Sequence, residues 1–422
     1  MGSRMEHPKN EHSGAGIARS VARGEALRAR EYEKPEVAVF GEWDTGNLGD
    51  RAIHVEAVRF FRECGWRTRS YCLGSLKPAT IETATERAVP AALRLRDFTL
   101  DRVPSLKRAL RQVRQRYRME RLLPELARTD AISVGGGALL SDVNEHFPQS
   151  LAVLTEAARM LGKPLWCLGC GSEGSWSPRG EKKLQAFLSA CSILAVRDKL
   201  TADRIAHVLS RPVPVFGDFC LAEADAHAQA TSAHTRHGLA LNVCQLPAAW
   251  RSEQPRYEEA VVALALRLVR GNERQTVTVF TTGTAEDMVP AHRVFDRLAG
   301  MGAELYLPRS LEQLAAIFRG SAITIASRLH AAILAMAEGA PVLGFTPAPK
   351  LATFLATMAL GEYSFKPGEG ARLAALLQNR DCASILAAQR HALRHAPSWV
   401  ARMQVRKALT SLAAISPPSA CT

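Results

Sequence analysis

The stretch SRLHAAILAMAEGAPVLGFTPAPK, residues 327–350, decides the fold of this chain. It follows a β-branched apolar run over 322–326, which predicts a buried strand. Ser327 can then cap a helix that is predicted over 329–338. The apolar run over 341–345 predicts the next strand. Strand, helix and strand in so few residues make a βαβ unit, whose crossover is expected to be right-handed.

Two ionisable side chains lie at the end of that unit where ligands bind. Arg328 and His330 follow the first strand and open the helix. In open α/β sheets ligands bind beyond the carboxyl ends of the strands, where helix N-termini direct N–H groups outward. A guanidinium offers a planar fork of donors to a carboxylate or phosphate, and an imidazole beside it can transfer a proton. The pattern predicts an anion site with an acid attached, although a capping or surface role stays open.

The order of residues in this unit is also that of a known family. Ser-Arg-Leu-His, a helix, Gly-x-Pro, a strand and Lys350 resemble the terminal motif of the polysaccharide pyruvyl transferase family. Members of that family transfer pyruvate from phosphoenolpyruvate to a sugar as a ketal, in bacterial exopolysaccharides and cell-wall polymers and in some yeast glycans. The resemblance extends over about 37–360 through four short motifs in family order. It implies an α/β, GT-B-like fold, with two Rossmann-type domains and the active site in the cleft between them.

Length and composition agree with two such domains. The 422 residues exceed what one simple core needs, and 47% of them are hydrophobic. No apolar run approaches the ~20 residues of a membrane helix and no signal peptide is visible, so we expect a cytoplasmic protein, or one at the inner face of the membrane. Nine cysteines without regular spacing are typical of reduced thiols. The net charge of +13 indicates an anionic partner, which is either a phosphorylated substrate or an anionic membrane. No nucleic-acid module accompanies this charge, so nucleic acid is not expected as a partner.

The alternation of apolar runs divides the chain into five segments. Residues 1–34 are polar and predict a disordered leader. An N-terminal Rossmann-like domain is expected over 35–221, and a linker rich in Ala, His and Thr over 222–237. A C-terminal Rossmann-like domain follows over 238–365. The tail, 366–422, predicts two helical stretches that pack on the domains, the last of them crossing back to the first domain.

The first strand leads into a Gly-rich turn of the kind that holds phosphate. The strand is expected over 36–41, and the turn Trp-Asp-Thr-Gly-Asn-Leu-Gly-Asp ends at Asp50 and opens a helix. Missing side chains in such a turn let backbone N–H groups approach an anion. The dinucleotide spacing Gly-x-Gly-x-x-Gly is absent. Asn-x-Gly-Asp resembles the N-terminal motif of the family, which implies donor contacts from Asn47 and Gly49, while Asp50 is either a further contact or a plain N-cap.

Two further strand ends carry residues that the family also has. One strand ends in a run of three glycines, Gly135, Gly136 and Gly137. Such a run either leaves room for a ligand or makes a tight turn. Arg197 follows another strand and precedes Asp198, with which it can pair locally. The resemblance implies that the glycine run faces the cleft and that Arg197 contacts the donor anion.

Two other features have interpretations that the family does not require. Residues 106–123 show a helical pattern dense in arginine, which is either a solvated face or a surface attracted to anionic lipid headgroups or to a lipid-pyrophosphate-linked acceptor. Cys167 and Cys170 form a lone Cys-x-x-Cys at a strand end, with no second pair at ligand spacing. No metal site is therefore predicted, and no cofactor apart from phosphoenolpyruvate as co-substrate.

These residues together lead to a reaction hypothesis. Phosphoenolpyruvate carries a phosphate and a carboxylate, so Arg328 and Arg197 are assigned to its anions, with glycine-loop N–H groups completing the shell. His330 is the candidate acid/base, but which group protonates the enol carbon and which deprotonates the sugar stays open. Lys350 contacts the donor, the acceptor or solvent. The acceptor is expected to be a sugar of a polysaccharide or of its lipid-linked precursor.

Two other functions stay open at this level. A GT-B glycosyltransferase that uses a nucleotide sugar often places acidic residues near the late βαβ unit to hold the ribose, yet Glu338 is the only acid within 327–350. A non-catalytic, membrane-associated assembly protein would work through the arginine-rich helix. The family commonly has an aromatic residue, often Tyr, shortly before the lysine matched by Lys350, and this chain has Phe-Thr-Pro over 345–347. That departure leaves the acceptor sugar undecided.

Overall fold

The computed structural model describes residues 34–78, 117, 119–142, 146–223, 237–269 and 276–415. Within these residues the chain builds two six-stranded sheets, one from its first half and one from its second. Residues 1–33 of the predicted leader, most of the predicted linker and the larger part of the arginine-rich segment lie outside the described residues. Of that segment, residues 117 and 119–123 are helical.

The first sheet has the spatial order β3-β2-β1-β4-β5-β6. Its strands are β1 (Glu36–Gly41), β2 (Arg67–Cys72), β3 (Lys77–Pro78), β4 (Ala131–Gly135), β5 (Leu165–Cys170) and β6 (Ile193–Val196). Its helices are α1 (Leu48–Glu63), α2 (His146–Leu161), α3 (Pro178–Ala190) and α4 (Lys199–Leu209). All neighbouring strands are parallel except β2 and β3. Successive residues of β1 enter two different hydrophobic cores, which is why the strand is apolar without alternation.

The second sheet has the spatial order β12-β11-β10-β7-β8-β9. Its strands are β7 (Leu239–Asn242), β8 (Val277–Phe280), β9 (Ala303–Tyr306), β10 (Ile323–Ala326), β11 (Val342–Phe345) and β12 (Ser364–Phe365). Its helices are α5 (Gln254–Val269), α6 (Met288–Leu298), α7 (Leu311–Gly320), α8 (Leu329–Ala337) and α9 (Pro349–Thr357). All pairings in this sheet are parallel.

Both sheets show the strand order of a doubly wound Rossmann sheet. The order reverses between β1 and β4 in the first sheet and between β7 and β10 in the second. In such sheets a crevice opens beyond the carboxyl ends of the strands at the point of reversal. The two crevices adjoin, because the Leu48 N–H at the start of α1 donates to the Thr282 carbonyl after β8 at 2.8 Å. The predicted pair of Rossmann-type sheets with a cleft between them is confirmed.

The βαβ unit formed by β10, α8 and β11 has the predicted elements, but its cap differs from the prediction. The N-cap of α8 is Arg328, which makes no side-chain cap bond. The Ser327 hydroxyl instead donates to the Phe345 carbonyl at 2.8 Å and accepts from Tyr257 at 2.7 Å. The serine therefore ties β10 to β11 and α5, because a buried hydroxyl is most stable with both roles satisfied. The prediction that Ser327 caps the helix was wrong.

The described part of the tail, up to residue 415, contains three helices where the pattern predicted two. They are α10 (Gly370–Asn379), α11 (Cys382–Arg394) and α12 (Pro397–Ile415). The Trp66 Nε1–H donates to the Leu409 carbonyl at 2.9 Å, and the buried Arg402 guanidinium donates to the Asp218 carbonyl at 2.9 Å. The return of the last helix to the first half of the chain is thus confirmed. Among the described residues, no helix is both long enough and apolar enough to cross a membrane.

Candidate active site

A cavity of about 280 Å³ lies where the two crevices meet. Its walls include the loop after β1, the glycine run after β4 and the first turn of α8. The predicted site residues that line it are Asn47, Asp50, Gly135, Gly136, Gly137, Arg328, His330 and Lys350. Residues from distant motifs are therefore brought into one site by the approach of the two sheets.

The turn before α1 is held by its own side chains. Asn47 is the N-cap: its Oδ1 accepts the Gly49 N–H at 3.0 Å, and its Nδ2 donates to Asp50 at 2.9 Å. Asp50 is therefore not the cap, and the Gly49 N–H, which we predicted would bind the donor, is committed to Asn47. Burial raises the pKa of Asp50, although the charges of His330 and Lys350 and the Asn47 bond oppose this effect.

Gly49 has a different role, which is contact with the candidate acid. A Cβ built on Gly49 would lie 2.5 Å from the Cβ of His330 and 2.7 Å from its Cγ. Real side-chain atoms do not approach so closely, so any larger residue would displace the imidazole. Glycine at this position therefore fixes how near α1 comes to α8, and with it the location of the His330 ring.

The imidazole of His330 faces a buried carboxylate from the other half of the chain. His330 Nε2 lies 3.8 Å from Asp218 Oδ2, and neither atom has a hydrogen-bond partner among the described residues. Asp218 is 1% exposed. Burial alone would raise the pKa of Asp218, but His330, the charge of Arg197 and the Cys220 N–H together hold that pKa below its usual value. The pair is thus an imidazole that faces an ionised carboxylate, the same two groups that act together in known proton-transfer sites.

Arg328 is oriented by a second buried carboxylate. Its Nε donates to Asp287 Oδ2 at 3.0 Å and its Nη2 to Asp287 Oδ1 at 2.5 Å. Asp287 is fully buried and also accepts the Gln245 N–H at 2.7 Å. The bidentate pair uses one edge of the guanidinium. No described residue bonds to Nη1, so this part of the fork remains for an anion in the cavity.

Arg197 does not line the cavity that holds Arg328 and His330. It lines an adjoining cavity of about 880 Å³, which shares Glu173, Leu329 and Lys350 with the first. Its side chain is 7% exposed and its Nε donates to Asp198 at 3.0 Å, so the predicted local pair is present. Nη1 of Arg197 is buried without a hydrogen-bond partner among the described residues.

An ion pair between the two halves of the chain separates the two cavities. Lys350, at the start of α9, binds the carboxylate of Glu173, which follows β5. Arg197 Nη2 lies 4.0 Å from the same carboxylate. Burial alone would raise the pKa of Glu173, but Lys350, Arg197 and His330 together lower it. Two cationic side chains, Lys350 and Arg197, therefore contact one partly exposed carboxylate.

The glycine run lines the cavity with its backbone, but part of that backbone is already bonded. The Gly136 N–H donates to the Leu168 carbonyl at 3.0 Å, and the Gly137 carbonyl accepts the Gly171 N–H at 2.7 Å. Gly136 has φ +74°, and a Cβ there would lie 1.8 Å from Ile53 Cγ2. The run is required for a tight turn and for close packing, so the Gly136 N–H is not free for the donor as predicted.

The wall formed by the first sheet carries two further ionisable groups, Glu42 and His54. Burial and the charges of Asp44 and Asp50 raise the pKa of Glu42 to about 7, despite a bond from the Gly74 N–H. His54 is 2% exposed and stacks on Trp43, and burial lowers its pKa to about 3. Neither ring nitrogen of His54 has a hydrogen-bond partner in the described part of the chain.

The cysteines of the described residues are free thiols. Cys167 and Cys170 are fully buried in β5, with Cys170 Sγ 3.6 Å from the Val134 carbonyl, and the pKa of Cys167 is raised by its Cys170 contact and by burial. Inaccessible thiols of this kind do not favour redox chemistry. Cys72 lies beside Glu42 and Asp44; its thiol donates to Asp44 Oδ1 at 2.8 Å, and burial and the Glu42 charge raise its pKa to about 12. The contact between Cys72 and Asp44 is therefore a hydrogen bond from a protonated thiol.

Sequence reasoning missed five residues of the site: Glu42, His54, Glu173, Asp218 and Asp287. Asp218 follows Gly217, directly after the segment that closes the first domain. An acidic residue at the end of that segment is the one sequence signal that could have identified Asp218 as a site residue. The others lie in loops or in a helix without a recognisable motif. Their importance comes from partners that are far away in sequence.

Two kinds of comparison relate the chain to known proteins. The sequence model of the family described as "Polysaccharide pyruvyl transferase" matches residues 47–349, while no curated protein matches the sequence. Among solved structures, HepE of Anabaena in complex with UDP and glucose has a TM-score of 0.53 at 12% identity, covering 90% of this chain and 100% of that one. The α,α-trehalose 6-phosphate synthase of Burkholderia multivorans has a TM-score of 0.53 at 16% identity, covering 90% and 99%. At such identities the likeness shows the GT-B fold alone, as predicted.

Proposed function

This chain belongs to the polysaccharide pyruvyl transferase family, and from this we propose that it moves pyruvate from phosphoenolpyruvate onto two hydroxyls of a sugar, with release of phosphate. The sugar would belong to a polysaccharide or to its lipid-linked precursor. One observation carries the proposal: the His330 imidazole faces the buried Asp218 carboxylate across the two halves of the chain, and the Arg328 fork lines the same cavity. An acid beside an anion-binding fork suits a donor that carries two anions and needs a proton.

The donor would span the cationic wall of the cavity. The unbonded part of the Arg328 guanidinium is suited to one anion of phosphoenolpyruvate, because its other edge is already fixed by Asp287. The second anion would take the place that the Glu173 carboxylate now occupies between Lys350 and Arg197. Arg197 would then contact the donor only after Glu173 has moved away.

Replacing Glu173 by glutamine is expected to lower the KM for phosphoenolpyruvate several-fold. Glutamine has no charge, so it competes less well for Lys350 and Arg197, and the donor displaces it more easily. Steady-state kinetics with phosphate release as the readout would measure the change. Glu181→Gln, on the exposed side of α3, is a matched control that should leave KM unchanged. An increase in KM for Glu173→Gln would show that the carboxylate assists donor binding.

His330 would supply the proton to the methylene carbon of the donor, with Asp218 as a positioning residue. A sugar hydroxyl would add at C2, and the C2–O bond to phosphate would break with its electron pair leaving on the phosphate. The second hydroxyl would then add at C2 and close the ketal. Proton transfer of this kind typically contributes ~10²–10⁴-fold to the rate.

Asp218→Asn is expected to lower kcat on the order of 10²-fold and to leave the KM for phosphoenolpyruvate nearly unchanged. The amide keeps the shape of the carboxylate but cannot stabilise a proton on the imidazole. Separate kcat and KM values measure the effect, and Asp203→Asn, an exposed acid on α4, serves as the control. A rise in KM with an unchanged kcat would instead place Asp218 in donor binding.

Phosphate release from phosphoenolpyruvate with a panel of p-nitrophenyl and lipid-linked sugars tests the proposal directly. A thermal-shift comparison of phosphoenolpyruvate with nucleotide sugars separates it from a glycosyltransferase of the same fold. Glu338, the only acid of the βαβ unit, pairs with Arg319 at 3.2 Å, and this favours the pyruvyl donor. Stabilisation by nucleotide sugars alone would overturn the proposal, and binding to anionic vesicles without donor binding would favour an assembly protein.

A further inference from the structure

We infer that Glu42 is the group that accepts the proton of the acceptor hydroxyl, at a sugar subsite on the wall formed by the first sheet. The inference rests on the proposed function and assigns the proton step that the sequence left undecided. It concerns a residue that lies outside the Asn-x-Gly-Asp motif and that no pattern in the sequence marks. Its basis is the place of the carboxyl group, the charges around it and the neutral imidazole on the same wall.

Glu42 has the position and the unused bonding capacity that a base requires. It is the first residue after β1, at the strand end where the order of the first sheet reverses, and it lines the same cavity as Arg328 and His330. One hydrogen bond reaches it from the described residues, from the Gly74 N–H to Oε2 at 3.0 Å. The Cys72 sulfur, whose proton goes to Asp44, lies 4.0 Å from the same oxygen. Oε1 is thus the oxygen that can meet a ligand.

The groups around Glu42 are mostly acidic or neutral. Asp44 lies in the same loop, Asp50 on α1 and the protonated Cys72 at the end of β2, while His146 approaches Gly74 from α2. Burial and the two aspartates hold the pKa of Glu42 at about 7, so both protonation states are populated near neutral pH. A general base works best when its pKa lies near the working pH.

The neighbouring His54 makes this wall suitable for a polyol. Its imidazole is uncharged, buried, and without a hydrogen-bond partner among the described residues. A buried polar group without a partner is destabilising, and a hydrogen bond with a sugar hydroxyl would remove that cost. The acidic wall repels the donor anions, and the wall with Arg328 and Lys350 attracts them. The two substrates are therefore assigned to different walls of one cavity.

The proton step balances within this arrangement. The acceptor O–H bond breaks as its oxygen bonds to C2, and the proton passes to Glu42 Oε1. The electron pair of the enol double bond moves to C3, which takes the proton of His330. The protonated Glu42 then gives its proton to the departing phosphate and, as a carboxylate, accepts the proton of the second hydroxyl. Exchange with solvent restores both groups.

The test compares pH profiles of the full-length protein, with phosphoenolpyruvate and p-nitrophenyl hexopyranosides as substrates. A base must be ionised, so wild-type kcat is expected to fall as the pH drops below about 7. Glu42→Gln should lower kcat ~10²–10³-fold, with the KM for phosphoenolpyruvate little changed. It should also abolish the acidic limb of the pH profile, which is the fall of kcat below about pH 7. The amide oxygen can still accept the Gly74 N–H, so the loop is expected to fold. Asp44→Asn removes a charge that raises the Glu42 pKa, so it should keep the limb but move it to lower pH.

Each result has a distinct meaning. Glu42→Gln with wild-type kcat and an intact limb would overturn the assignment and leave the proposed function standing. An unchanged kcat with a higher acceptor KM would reduce Glu42 to a binding residue and also overturn it. Activity that is lost with a chelator and restored by Zn²⁺ would make Glu42 a metal ligand instead. Wild-type protein that releases no phosphate with any acceptor would end both the proposed function and the inference.

Discussion

His330→Ala is expected to reduce turnover about 10²–10⁴-fold while affinity for phosphoenolpyruvate changes little. The imidazole is the proton donor of the proposed reaction, and its removal leaves Asp218 facing an empty space. The donor keeps Arg328 and Lys350 as partners, so binding should survive. Single-turnover phosphate release gives the chemical rate, and isothermal titration with phosphoenolpyruvate gives the affinity.

The variant retains Cβ, the atom that lies nearest to Gly49, so the approach of α1 to α8 should persist. His292→Ala, which removes an exposed histidine of α6 that lines neither cavity, is the matched control and should behave as wild type. Kinetics in His330→Ala that equal those of the wild type would remove the imidazole from the mechanism. A matching loss of affinity and turnover would instead assign it to donor binding.

Arg328→Ala is expected to impair both folding and donor binding. Asp287 is fully buried and would lose its only cationic partner among the described residues. Removing one member of a buried ion pair leaves the other charge unpaired and typically lowers the free energy of unfolding by about 3–5 kcal/mol. The melting temperature should therefore fall by several degrees. The cavity would also lose its guanidinium fork. Calorimetry and titration with phosphoenolpyruvate measure the two effects separately.

A double variant separates the structural loss from the loss of the anion site. Arg328→Met with Asp287→Asn removes both charges, and the amide oxygen can still accept the Gln245 N–H. We expect this protein to regain most of the stability but no donor affinity. Recovery of donor affinity in the double variant would show that the guanidinium acts only through folding, and the assignment of Arg328 to the donor anion would be withdrawn.

Much of the frame follows from local patterns. Short apolar runs that alternate with amphipathic segments give parallel strands and helices, because strands buried on both faces need continuous apolar sequence. The strand β1 was predicted over the residues that it occupies, and α8 ends one residue before the predicted position. Helix caps were less predictable. Ser327 and Asp50 have the right chemistry for a cap, but a contact with Phe345 on the next strand uses the Ser327 hydroxyl. Asn47, three residues before Asp50, is the cap and bonds the Asp50 carboxylate.

The sequence by itself determined the βαβ alternation, the glycine turns and the place of Arg328 and His330 at the start of a helix, because each depends only on neighbours along the chain. The tertiary structure alone decided which acid faces each cation. The chain has 41 Asp and Glu residues, and Asp287 and Glu173 lie 41 and 177 positions from Arg328 and Lys350, so no spacing could select them. Those pairs form because two independently wound sheets bring their strand ends together, and long-range packing sets that approach.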